Sequence, residues 1–231
     1  IAVASTKATT AQLSILASEE RLPWAGHSAA YAVPDLYATI KQHGTTLLFV
    51  NTRSQAEMLF QNLWAINDEA LPIALHHGSL SVEQRRKVES AMVSGMLRAV
   101  VCTSTLDLGI DWGDVDLVVQ VGAPKGASRM LQRIGRANHR LDEPSKAMFV
   151  PANRFEVLEC EAALEAVAEG AQDSETPLPG GLDVLAQHIL GLACADPLDE
   201  DQTFAEITSA WPYKDLTREK FHRVLDFVST G

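Results

Sequence analysis

From residue 45 onward the chain alternates short apolar runs with amphipathic stretches, and that alternation limits the folds open to it more than any other feature. TTLLFV (45–50), IALHHG (73–78), RAVVCT (98–103), LVVQVG (117–122) and KAMFVP (146–151) are apolar on both faces. Strands of that kind, alternating with helical patterns, predict a parallel sheet covered by helices on both sides. Ser54 with Glu57 has the spacing of a capping box, which puts the start of the first intervening helix at Ser54. Ser81 with Gln84 repeats that signal before EQRRKVESAMVSG, and a third helix is expected over 127–138. In such sheets ligands bind at loops leaving the C-terminal ends of the strands.

The remainder of the chain reads as one acidic helix over 152–170, a Pro/Gly-rich break at 171–181 and three short amphipathic helices over 182–231. The three helices fit either a winged-helix or helix-turn-helix unit or a plain helical cap. With 231 residues, 46% of them hydrophobic and 21% charged, the chain has the make-up of a globular core with a smaller unit attached. That excludes a disordered, fibrous or disulfide-scaffold protein. No apolar run reaches the ~18 residues that span a bilayer, and Lys7 interrupts the opening segment, which does not resemble a signal peptide. Cys102, Cys160 and Cys194 form no CxxC pair, so neither zinc nor a disulfide framework is indicated and a reduced, cytoplasmic protein is expected. Beginning on Ile1 and stopping just after a helical pattern, the sequence reads as a piece of a longer protein.

Charge is divided along the chain. Residues 1–150 carry 14 Lys and Arg against 14 Asp and Glu, whereas residues 151–231 carry 5 against 16, so the whole net charge of −11 lies in the C-terminal third. Between Asp116 and Asp142 there is no acidic residue, while Lys125, Arg129, Arg133, Arg136 and Arg140 all fall there. Like charges three and four apart cost an isolated helix ~0.2–0.5 kcal/mol per pair. A polyphosphate would offset that cost, because guanidinium is permanently charged and presents a planar fork to phosphate oxygens. The alternative is a solvated basic face.

Three further clusters follow strands. CTSTLDLGIDWGDVD (102–116) offers hydroxyls at Thr103 and Ser104, close backbone approach at Gly109, and Asp107 and Asp111 as acceptors for sugar hydroxyls or arginines. VNTRS (50–54) sets Asn51, Thr52 and Arg53 before a helix N-terminus, which favours an anion. In HHGSLS (76–81), His76 and His77 are adjacent and point to opposite faces of a strand, so they cannot chelate one metal; Gly78 and Ser79 suit a phosphate. None of these loops holds a nucleophile–base pair, which favours binding and transition-state stabilisation over covalent catalysis.

LLFVNTRSQAE, LHHGSLSVEQRRKVE, VVCTSTLDLGIDWGDVDLVVQ and QRIGRANHR, in that order and spacing, resemble helicase motifs IV, IVa, V and VI. The chain resembles the second RecA-like domain of a superfamily 2 helicase of the Lhr family, nearest the ligase-associated DEXH-box type. The resemblance divides the chain into an N-terminal flank (1–24), the second RecA-like domain (25–170), a linker (171–181) and the start of a winged-helix domain (182–231). It implies that Arg136 and a second finger, Arg140 or His139, reach ATP across a domain cleft. It implies that Arg133 couples motif VI to its neighbours at the nucleotide side, and that Gly109 and Asp111 lie near the ribose. Thr103 and Ser104, with Asn51, Thr52, Arg53, His77, Gly78 and Ser79, are then expected on a nucleic-acid backbone.

No GxxxxGK[ST] or strand-linked DExH occurs; Asp199-Glu200-Asp201-Gln202 follows Pro197 in an acidic loop. ATP with Mg²⁺ (or Mn²⁺) would therefore be held mainly by a first RecA-like domain. The resemblance implies an ATP-dependent 3′→5′ helicase acting on single-stranded DNA or a 3′-tailed duplex, with a ligase or nuclease as possible repair partners and no membrane. An RNA helicase of the same superfamily and a non-catalytic RecA-like adaptor are the alternatives.

Overall fold

The computed structural model describes residues 11–107, 114–135, 137, 144–171 and 178–230. They form two compact units that divide at residues 173 and 174, inside the segment expected to be a linker.

The first unit is a six-stranded sheet: β1 (Gln12–Ile15), β2 (Thr46–Phe49), β3 (Ile73–His76), β4 (Ala99–Cys102), β5 (Leu117–Val121) and β6 (Lys146–Val150). Its order is β1-β6-β5-β2-β4-β3, and every pairing is parallel, for example Leu47 with both Val100 and Val118. The expected RecA-like architecture is what the chain adopts. Every residue of β2, β4 and β5 is buried, as strands covered on both faces require.

Successive side chains serve opposite layers. Leu48, Val101 and Val119 pack with α1 (Val33–Gln42) and α2 (Arg53–Ala65). Leu47, Phe49, Val100 and Val118 pack with α3 (Val82–Val93), α4 (Ala127–Ile134) and α5 (Arg154–Ala168). Among the described residues no helix is long and apolar enough to cross a membrane.

Three expectations need correction. Residues 12–15 lie in the sheet, where β1 pairs in register with β6, so 1–24 is not simply a flank. The strand escaped notice because an edge strand buries one face only, and its four residues alternate exposed and half-buried. The box that caps α2 is Thr52 with Gln55, not Ser54 with Glu57: Thr52 is still extended (φ −134°, ψ 157°), and both reciprocal hydrogen bonds form there. Finally, α4 ends at Ile134, with Gly135 as its cap, four residues earlier than expected. The Ser81–Gln84 box caps α3 as anticipated.

In the second unit α6 (Leu182–Ala195), α7 (Glu200–Ser209) and α8 (Arg218–Thr230) close around Leu185, Ile189, Ile207, Phe221 and Val224. Phe204 meets Phe221 edge-on with ring centres 5.3 Å apart.

Candidate functional site

All six strands run the same way, so the loops after β5, β2, β4 and β3 stand side by side along one sheet edge. These loops carry the residues singled out from the sequence, and several of them are in contact. Thr52 and Arg53 are exposed at the start of α2, and Arg53 Nη1 donates to Ser79 Oγ at 2.9 Å, bridging the loops after β2 and β3. Thr103 N donates to His76 O (3.3 Å), fixing the loop after β4 beside that after β3. Thr52, Arg53, Gly78, Ser79 and Ser104 thus form an exposed polar rim, with Thr103 half-buried below it.

The two histidines face opposite layers. His76 is buried, with Nδ1 2.8 Å from Thr105 Oγ1 and Nε2 3.1 Å from Glu89 Oε1 on α3. Burial lowers its pKa, against the opposing pull of Glu89. His77 is only 3% exposed, which corrects its expected place on the strand-facing surface. Its Nδ1 accepts from Ser79 N (3.3 Å), which leaves the proton on Nε2, 3.4 Å from Glu57 Oε1 on α2. His77 therefore shapes the Gly78–Ser79 turn from beneath.

Arginines without counter-ions were expected on α4, and for two of them the structure overturns this. Arg133 is 4% exposed, and Asp107 receives it at both oxygens: Nε to Oδ1 at 2.8 Å and Nη2 to Oδ2 at 3.3 Å. Nη1 donates to Gln120 Oε1 on β5, and the guanidinium lies 4.7 Å from the centre of the Phe49 ring. Arg129, half-exposed, has its Nε 3.7 Å from Asp107 Oδ2. The missing carboxylate comes from the loop after β4, far away in sequence. Arg133 therefore faces inward and ties α4 to that loop. Gly109, Asp111, Arg136, His139 and Arg140 lie outside the described residues.

Sequence reasoning missed Glu156 and the use made of Asn51. Glu156, buried in the first turn of α5, accepts from Ala123 N (3.1 Å) and Ala152 N (2.8 Å) through Oε2. Its Oε1 is 3.2 Å from His27 Nδ1 and 3.3 Å from Asn153 Nδ2. Asn51 Nδ2 donates to Ala123 O (2.9 Å). Asn153 ahead of a helical run signals the N-cap of α5, which its Oδ1 provides to Phe155 N and Glu156 N, but not the reach of Glu156 to Ala123. Of the thiols, Cys102 and Cys160 are buried; burial pushes Cys160 up to about 12 and Cys102 higher still, so both stay protonated.

Two family models match the chain: the helicase conserved C-terminal domain over residues 30–140, and the winged-helix domain of large helicase-related proteins over 165–231. The second match begins within α5, upstream of the boundary between the compact units. The ATP-dependent helicase Lhr-Core of Methanothermobacter thermautotrophicus is 42% identical over 197 residues, covering 84% of this chain and 23% of that protein. The Lhr helicase/uracil glycosylase of Escherichia coli is 37% identical over 220 residues, 82% of this chain and 14% of that protein. The chain thus spans less than a quarter of these curated relatives. The Mycobacterium smegmatis helicase Lhr, solved bound to ssDNA and AMP-PNP, superposes with a TM-score of 0.73 at 35% identity, covering 95% of this chain and 29% of that one.

Proposed function

The chain belongs to the Lhr-type helicases, as their helicase C-terminal domain followed by winged-helix sequence, and from that premise we propose that it is the second motor domain of an ATP-driven 3′→5′ translocase on DNA. The observation that carries this reading is the shared edge. The exposed Thr52, Arg53, Ser79 and Ser104 rim offers hydroxyls and a guanidinium to a strand backbone, while Arg133 and Asp107 fasten the arginine helix to the loop that bears Thr103 and Ser104. Contacts of the rim type grip phosphates irrespective of base sequence.

In this reading Arg136 and Arg140, with Gly109 and Asp111, meet the nucleotide. The chain's 231 residues hold no P-loop, so the β-phosphate and Mg²⁺ (or Mn²⁺) belong to a first RecA-like domain. Arginine fingers accelerate phosphoryl transfer by ~10³–10⁵ when the other half-site is in place. The chain by itself is then inactive as an ATPase. The M. smegmatis relative, solved with ssDNA, supports the preference for DNA.

The test compares Mg²⁺-dependent ATPase of the protein carrying both motor domains with no strand, with single-stranded DNA and with RNA. DNA should stimulate most. Stimulation by RNA alone would reassign the enzyme to RNA, and turnover by this chain on its own would overturn the half-site assignment.

A further inference from the structure

One residue at the sheet edge is held on both sides, through its own N–H and its own carbonyl, by residues on different elements. Ala123 lies between β5 and α4, four residues before the arginine helix begins. Its N–H donates to Glu156 Oε2 (3.1 Å), and its carbonyl accepts from Asn51 Nδ2 (2.9 Å). Glu156 Oε2 also takes Ala152 N–H at 2.8 Å, so one carboxylate oxygen joins the loops after β5 and β6. Asn51 immediately precedes Thr52, the cap of α2, and Arg53, both on the exposed rim. The strands concerned, β6, β5 and β2, are consecutive in the sheet.

Gly122 shows how close the fit is. Its φ is +83°, and a Cβ there would lie 3.1 Å from Asn51 Nδ2 and 3.7 Å from Glu156 Oε2. The carboxylate is buried, and its second oxygen is engaged by Asn153 Nδ2 and His27 Nδ1. A buried carboxylate receiving two backbone N–H groups is a rigid joint, because breaking either bond leaves a buried donor unsatisfied.

We infer that Glu156 is a positioning residue: by holding the N–H of Ala123 while Asn51 holds its carbonyl, it makes the strand-gripping start of α2 and the arginine helix α4 move as one piece, so that strand binding reaches the nucleotide side. The inference rests on the motor reading above. A packed, hydrogen-bonded link between two sites can carry coupling between them, and a residue such as Glu156 that touches neither ligand can modulate it.

The experiment uses the protein with both motor domains and its Glu156→Ala, Glu156→Gln and Glu156→Asp variants, measuring strand-free ATPase, strand-stimulated ATPase and strand Kd. Glu156→Ala should lose stimulation by ~10-fold, within the usual range of coupling between sites, with strand Kd and strand-free ATPase changed by no more than ~2-fold. Glu156→Gln keeps an oxygen that can receive both N–H groups and should restore stimulation. Glu156→Asp keeps the charge but loses the reach and should behave like alanine. The Gln–Asp contrast decides the matter even if the alanine variant does not fold. Unchanged stimulation in Glu156→Asp, or an equal fall in all three quantities, would overturn the positioning role. A wild-type protein with no strand-stimulated ATPase would instead sink the motor reading itself.

Discussion

Asp107 and Arg133 show how much one residue's meaning depends on a partner that the sequence places elsewhere. Arg133 sits among cations with no acid nearby along the chain, yet its charge is met by a carboxylate 26 residues earlier. Asp107 was recognisable as an acceptor for arginines, but spacing along one segment carries no information about which loop folds against it. Burial sharpens the consequence, since removing one member of a buried pair strands the other. Asp107→Ala should destabilise the first unit by ~3–5 kcal/mol, as for other broken buried pairs, measured as a shift in the denaturant midpoint at constant slope. A loss below ~1 kcal/mol, the scale of exposed pairs, would show that the guanidinium finds solvent. Glu156 was illegible for a related reason: its acidic neighbours on α5 make it look like one more solvated carboxylate, and only tertiary packing turns it inward.

At the scale of elements, the sequence was most informative where both faces of a strand are buried. β2 to β6 each fall within the apolar runs that predicted them, and β2, β4 and β5 are buried on both faces, with no polar alternation to blur their ends. β1 and α1 were not read. β1 buries only part of one face. α1 places Val33, Leu36, Tyr37 and Ile40 on a helical stripe, which went unnoticed although its 3–4 spacing was present. The cap of α2 is a different kind of miss. Thr52-x-x-Gln55 and Ser54-x-x-Glu57 both satisfy the capping-box rule, and the choice between them depends on where the chain stops being extended after β2. The structure chooses Thr52, so Thr52→Ala should cost ~1 kcal/mol, whereas Ser54→Ala should stay within ~0.5 kcal/mol as an ordinary surface change. Thermal denaturation of the two variants side by side checks this; the reverse order of effects would return the helix start to Ser54.

For the whole molecule, fold and family were legible because each of the four motifs is one contiguous segment of sequence, and the parallel sheet gathers the loops after β2, β3, β4 and β5 at one edge whatever their order along the chain. The two compact units divide at residues 173 and 174, within the 171–181 stretch expected as a linker. What spacing could not show was the internal wiring: Arg133 to Asp107, Asn51 to Ala123, Arg53 to Ser79. Those contacts link loops whose sequence separation is unrelated to their distance in space. They also change the reading of the basic stretch, in which Arg133 and Arg129 both meet Asp107 within the domain's own architecture.

The decisive measurement is therefore ATPase and single-strand binding, side by side, for the two-domain motor protein and its Arg136→Ala variant. The account predicts ATPase lowered by ~10³ or more, the scale of a lost arginine finger, with strand affinity nearly unchanged. Near-normal ATPase in the variant, with strand binding lost, would contradict it.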